Sequence, residues 1–165
     1  MIRAVTSAYE MISKHRFADI MQNSLTGEKS LHASAFFDAG EVINDFSAGM
    51  TLETATYLTV QTGDNQHITL QPDFLQYINH SCDPNVFFDT AAMQLVALKE
   101  IQPGDELMFF YPSSEWDMSQ PFDCFCGTSQ CLQRIQGAAY LSDNEAMRYR
   151  LTNFIQQKIQ NRTAK

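Results

Sequence analysis

The sequence predicts a mostly β domain of small sheets, closed at its C-terminal end by a helix. Three observations carry that prediction. Short runs rich in β-branched and aromatic residues recur between turn signals. Helical spacing becomes clear only near the C-terminus. The length of 165 residues, with 44% apolar residues and twelve Phe, suits one domain with a real core and is short for two.

The first thirty residues mix apolar and polar positions without a clear period and assign no element. "AFFDAGEVINDF" reads as two short strands around the turn Asp38-Ala39-Gly40. "SAGMTLETATYLTVQTGDNQHITL" carries β-branched and aromatic residues on both sides of "TGDN", a hairpin signal. "MQLVALKEI" and "ELMFFY" follow as two strands around "QPGD", where Pro103 and Gly104 suit the middle of a type II turn. At the end, Ser142 and Glu145 fit a capping box. Met147, Leu151, Phe154, Ile155 and Ile159 then fall on one helical face. There is no internal repeat and no low-complexity tract.

The charge is uneven. The formal net charge is −8, and between Leu31 and Gln130 fourteen acidic residues face a single base, Lys99. The last 35 residues reverse this, with six Lys or Arg against two acids. An acidic body repels nucleic acid and attracts basic partners. The N-terminus interrupts its apolar residues with charges, unlike a secretory signal, and no apolar run approaches a membrane span. An intracellular, reducing compartment, cytoplasmic or nuclear, is expected.

Four cysteines fall in two places: Cys82 within "NHSCDPN", and Cys124, Cys126 and Cys131 within "CFCGTSQC". Three thiols within eight residues, broken by Gly127, can wrap one ion, and a distant fourth completes a tetrahedral thiolate set for structural zinc. Such binding would staple the C-terminal segment to the Cys82 loop and couple metal to folding. Disulfides and unliganded buried thiols are the competing readings. The missing secretion signal and the crowding of the thiols weigh against the first.

"NHSCDPN" is followed by "GDELMFFY", then by "CFCGTSQC" and "CLQRIQG". That order resembles the SET-domain protein lysine methyltransferases with a post-SET zinc motif, whose pattern is Asn-His-Ser-Cys-x-Pro-Asn, Gly-Glu-Glu-Leu-x-Phe-x-Tyr and Cys-x-Cys-x4-Cys. The resemblance implies a fold of small β-sheets with knot-like C-terminal threading, a post-SET zinc site and a C-terminal helix. It divides the chain into an N-terminal segment (1–26), a SET domain (27–112), a post-SET segment (113–137) and a C-terminal helix (138–165).

By the same resemblance, Asn79 and His80 contact S-adenosylmethionine, with Ser30, Leu31 and Tyr77 beside it. Tyr111 is the active-site tyrosine. Phe109 and Phe110 line a substrate channel, and a Phe at 109 offers no hydroxyl to restrain multiple methylation. Cys82, Cys124, Cys126 and Cys131 bind zinc. The expected substrate is a lysine in a basic protein such as a histone tail or ribosomal protein, with no nucleic-acid or membrane partner. A lysine amine, with a solution pKa of about 10.4, must lose its proton before it can attack, and an aromatic channel beside a cation favours that loss.

The chain departs from the pattern in places. Asp105 replaces Glu, Phe110 stands where Asp is common, Gln76 where many members carry Arg, and Ser30 where a second glycine is usual. "CLQRIQG" lacks the usual Arg-Gly, although Gly137 fits a looser form. A Cβ at Ser30 would crowd the cofactor, which keeps open a second reading: a catalytically weak or inactive SET module that binds a basic partner.

Overall fold

The computed structural model describes residues 8–163; Met1 to Ser7 of the expected N-terminal segment lie outside them. The chain opens with an antiparallel meander of β1 (Tyr9–Lys14), β2 (Ala18–Asn23) and β3 (Lys29–Ala33). The lack of a legible period there has a structural cause. Most of β1 faces solvent, including Met11 and Ile12, so its apolar residues do not mark a buried face. Asn23 closes the β2–β3 turn by accepting the Leu25 and Thr26 N–H groups on Oδ1, and Gly27 supplies a φ of 75°.

A second sheet has the order β4 (Val42–Asp45), β10 (Gln94–Ala97), β9 (Val86–Asp89). The turn expected at Asp38-Ala39-Gly40 forms, with the Glu41 N–H donating to the Asp38 carbonyl at 3.1 Å, but its two flanks pair elsewhere. Phe37 makes an isolated bridge to Ile101, and β4 pairs with the distant β10. Both stretches are extended, but their partners are remote in sequence. The third sheet bears out the expected turn at "TGDN": β6 (Val60–Gly63) and β7 (Gln66–Gln71) are antiparallel, with β5 (Ser47–Leu52) on the other side of β7. The "QPGD" turn is also present, with Gly104 at φ 95° and Asp105 N–H donating to the Gln102 carbonyl at 3.1 Å.

Two pairs of two-residue strands complete the sheets. β8 (Asn79–His80) runs parallel to β11 (Met108–Phe109), pairing Asn79 with Met108 and His80 with Phe109. Ser81 N–H and Asn85 N–H extend the ladder to the Phe109 and Met108 carbonyls. β12 (Phe122–Asp123) pairs with β13 (Arg134–Ile135) around the cysteine-rich loop.

The main core gathers Leu31, Leu75, Ile78, Phe88, Leu95, Ile101 and Leu107. A second cluster, with Phe110, Ala138, Leu141, Leu151 and Ile155, lies beneath the C-terminal segment. That segment is two helices where the sequence predicts one. α1 (Asp143–Met147) begins with the expected capping box and α2 (Asn153–Thr163) follows after a break. The break has two local causes. Tyr149 is drawn away to stack on Phe110 at 3.6 Å and to donate its hydroxyl to the Cys82 carbonyl at 2.8 Å. Thr152 then restarts the helix by accepting the Ile155 N–H on Oγ1 at 3.3 Å. Met147 consequently points to solvent rather than along the buried face of Leu151 and Ile155. Lys158 on α2 reaches Asp64 at 2.7 Å and lies over the Trp116 ring, tying the helix to the β6–β7 turn.

Candidate active site

The parallel β8–β11 pairing brings the two motifs together. Asn79 donates its side-chain amide to the Lys29 carbonyl at 3.0 Å and to Glu106 Oε1 at 3.3 Å, tying β3 to the approach of β11. Asn85, at the other end of "NHSCDPN", donates to the Glu106 carbonyl and accepts the Met108 N–H on Oδ1, both at 2.8 Å. Ser81 Oγ holds the intervening turn by accepting the Asp83 N–H. The stretch is therefore a backbone clamp, which explains its density of short polar residues.

His80 Nδ1 accepts the Tyr111 N–H at 3.1 Å, so this nitrogen is unprotonated and the proton sits on Nε2. Nε2 lies 3.4 Å from Cys82 Sγ. Burial lowers the imidazole pKa to about 4, which keeps the ring neutral at physiological pH. Tyr111 sits amid Phe109, His80 and Phe122, with ring centroids at 4.6, 5.1 and 5.8 Å. Burial, then the nearby Glu106 and Glu115, push its phenol up to about 12. It is a neutral hydroxyl at pH 7, unable to act as a phenolate base.

Two cavities meet at this tyrosine. The larger, about 620 Å³, is polar: Lys29, Ser30, Asn79, His80 and Glu106 line it, and residues 122–126 form its far wall. The smaller, about 280 Å³, is walled by Val60, Leu70, Leu75, Ile78 and Phe109, with Glu115 as its carboxyl. Tyr111 and Phe122 line both.

The expected site residues fall in different places. Ser30, Asn79 and His80 line the larger cavity, and Phe109 lines the smaller. The Ser30 hydroxyl bonds His32 Nε2 at 2.9 Å, along its own strand. Leu31, one residue on, alternates to the opposite face and is fully buried in the core. Tyr77 packs against the core with Lys29 Nζ 5.5 Å from its ring centroid, and is among the lining of neither cavity. Phe110 likewise points away from Phe109. It is buried beneath Tyr149 and forms no part of the channel assigned to it. Glu115, Phe122 and Glu106 are wall residues that the motif reading does not single out. For Glu115 the one sequence signal is an acid four residues past Tyr111.

The four cysteines converge although 42 residues separate Cys82 from Cys124: all four Sγ atoms lie within 4.8 Å of one another. A tetrahedral zinc with bonds of about 2.3 Å needs sulfurs roughly 3.8 Å apart, and Cys82 and Cys124 stand at 4.0 Å. The Leu132 N–H points at Cys82 Sγ at 3.4 Å, as does His80 Nε2, a donor set suited to a metal-bound thiolate. The residues present thus fit a structural zinc ion.

A family model described as "SET domain" matches residues 8–112. The methyltransferase flvH of Aspergillus flavus is 41% identical over 113 residues, which are 67% of this chain and 63% of that protein. An Emericella nidulans protein named histone-lysine N-methyltransferase, H3 lysine-36 specific, is 29% identical over 120 residues, which are 64% of this chain and 12% of that one. The methyltransferase domain of human histone-lysine N-methyltransferase SETMAR aligns at a TM-score of 0.49 and 16% identity, over 78% of this chain and 58% of that chain. The match therefore spans somewhat under two thirds of the Aspergillus protein and a small part of the Emericella one. With the family pattern matching well over half of its residues, and its motifs gathered around one tyrosine, the chain belongs to the SET-domain family.

Proposed function

We propose that this protein is an S-adenosylmethionine-dependent N-methyltransferase acting on lysine in a basic protein, of the histone-tail or ribosomal-protein kind. The observation that carries this reading is the pair of cavities sharing Tyr111 and Phe122. One is polar and large enough for a nucleoside-sized molecule; the other is narrow and mostly apolar, suited to an alkyl chain. When bound, S-adenosylmethionine supplies an electrophilic methyl on a sulfonium.

The larger cavity fits such a cation because Glu28, Glu106 and Asp123 outweigh Lys29 in its lining, alongside the neutral His80. The serine at position 30, which favoured an inactive module, has its hydroxyl engaged by His32, and the cavity stays open beside it. The smaller cavity would hold the substrate side chain against Leu70, Leu75 and Phe109. Tyr111, held by the His80 bond to its own N–H, would position the amine through a hydroxyl that stays protonated. Alignment of the reacting atoms supplies most of the acceleration in such a site. Phe109 brings no hydroxyl to the smaller cavity and so allows more than one methyl. The acidic body attracts basic substrates. The Emericella relative, a histone-lysine N-methyltransferase, supports a protein substrate, and with it a cytoplasmic or nuclear location.

The test is calorimetric titration of the zinc-loaded protein with S-adenosylmethionine, followed by methyl transfer to core histones and ribosomal proteins. Micromolar binding and transfer are expected. Tyr111→Phe should bind the cofactor normally and transfer about a hundredfold more slowly, the usual loss for one positioned hydroxyl. Absence of binding would overturn the reading.

A further inference from the structure

The smaller cavity contains one charge-bearing group that methyl transfer does not by itself call for. Glu115 is buried, 8% exposed; among the described lining residues it is the only carboxyl, and none of them is Lys, Arg or His. One of its oxygens, Oε1, accepts the Gln61 N–H at 3.0 Å. Gln61 in turn is held by accepting the Trp116 N–H on its side-chain oxygen at 2.9 Å. No described residue bonds the second oxygen, Oε2. No arginine or lysine pairs with Glu115 among the described ion pairs. A buried carboxyl in an apolar wall, fixed at one oxygen and open at the other, is costly unless a partner completes it.

We infer that Glu115 is the counter-ion and proton acceptor for the substrate amine, and so selects a cationic side chain for the smaller cavity. An alkylammonium entering past Phe109 would meet no other charge. In the empty site Glu115 is mostly the neutral acid at pH 7, so the arriving ammonium first drives that proton to solvent; one ammonium N–H bond then breaks, the electron pair stays on nitrogen, and the proton moves to the Glu115 carboxylate, leaving neutral amine and carboxylic acid. The burial that raises the empty-site carboxyl to about 8 brings it toward the range of a lysine amine, so that exchange runs at modest cost. Glu115 and Tyr111 line the same cavity, and the Glu115 N–H donates to the Tyr111 carbonyl at 3.1 Å, which places the acceptor on the wall shared with the proposed point of transfer.

The inference rests on the proposed function for the identity of the amine, but it can be tested without turnover. The probes are N-α-acetyl-lysine methylamide and its uncharged isostere, N-α-acetyl-norleucine methylamide, titrated calorimetrically into the zinc-loaded wild type and Glu115→Gln. Glutamine keeps an acceptor for Gln61. Wild type should prefer the lysine probe at least tenfold, with a proton exchange visible as a buffer-dependent heat. Glu115→Gln should bring the two probes within about twofold while binding S-adenosylmethionine like wild type. If Glu115→Gln does not fold, carbon-13 NMR of wild type decides: the Glu115 carboxyl resonance should move with the lysine probe and stay still with the norleucine probe. An unchanged resonance, a preference that survives in Glu115→Gln, or no preference in wild type would overturn the inference. A lysine preference in a protein that binds no S-adenosylmethionine would sink the methyltransferase reading alone.

Discussion

The Tyr111 N–H donates to His80 Nδ1 across 3.1 Å, joining two motifs 31 residues apart through one hydrogen bond. The bond fixes the imidazole tautomer and so aims Nε2–H at Cys82 Sγ, 3.4 Å away. The proposed active-site tyrosine and the cysteine cluster thus share one neutral ring.

Acid should unfasten this junction. The folded pKa of His80 is lowered from 6.5 to about 4 by burial, so between these values the unfolded chain binds a proton that the folded one does not. Its contribution is present above pH 6.5 and is lost as pH falls toward 4. The unfolding free energy of wild type minus that of His80→Gln should therefore shrink between pH 7 and pH 5 in urea titrations. A difference that does not vary with pH would contradict a buried neutral ring.

Glu115 carries the opposite slope. Burial raises its folded pKa from 4.5 to about 8, so the folded state holds a proton that the unfolded state has released. Stability from this group is present below pH 4.5 and is lost as pH rises through about 8. The melting temperature of wild type relative to Glu115→Gln should fall from pH 5 to pH 8, read by differential scanning calorimetry.

Tyr149 couples the C-terminal segment to the cysteine cluster through its hydroxyl on the Cys82 carbonyl and its ring on Phe110. Tyr149→Phe keeps the stack and removes the hydrogen bond, at an expected cost of about 1 kcal/mol. Zinc affinity, measured by competition with a chelator, should weaken with it. Stripping zinc altogether should cost far more and loosen residues 122–135, seen as lost hydrogen-exchange protection.

Gly137 should tolerate no side chain. Its φ is 118°, and a Cβ there would collide with the Trp116 carbonyl and backbone. Because backbone rather than a flexible side chain is in the way, Gly137→Ala should destabilise by more than about 2 kcal/mol. Denaturant unfolding would show this, and a neutral result would place the 114–117 turn elsewhere.

Much of the site was legible because its chemistry restricts residue type and local spacing. "NHSCDPN" reads as a motif by its residue types and their order, although the partners of Asn79, His80 and Asn85 lie far away in sequence, and "CFCGTSQC" reads as a metal loop since thiols at that spacing can close on one ion. The hairpin at "TGDN" and the capping box at Ser142 are legible for a local reason: their partners lie about three residues away.

What the local sequence left open is which side of each element faces a cavity, and which remote segment covers it. Phe109 and Phe110 are adjacent and identical, yet strand alternation sends one to the smaller cavity and the other beneath Tyr149. Leu31 beside Ser30 divides in the same way between core and cavity. The apolar spacing of the tail suggests one helix, and the pull of Tyr149 toward Phe110 and Cys82, with Thr152 capping a new start, breaks it. Glu115 stands out only when β6 and β7 close over it, because burial and an empty wall are properties of the assembled fold. Residue type and short-range spacing determined the family and its motifs; pairings over tens of residues, such as His80 with Phe109 and Gln61 with Glu115, decided which groups meet at Tyr111.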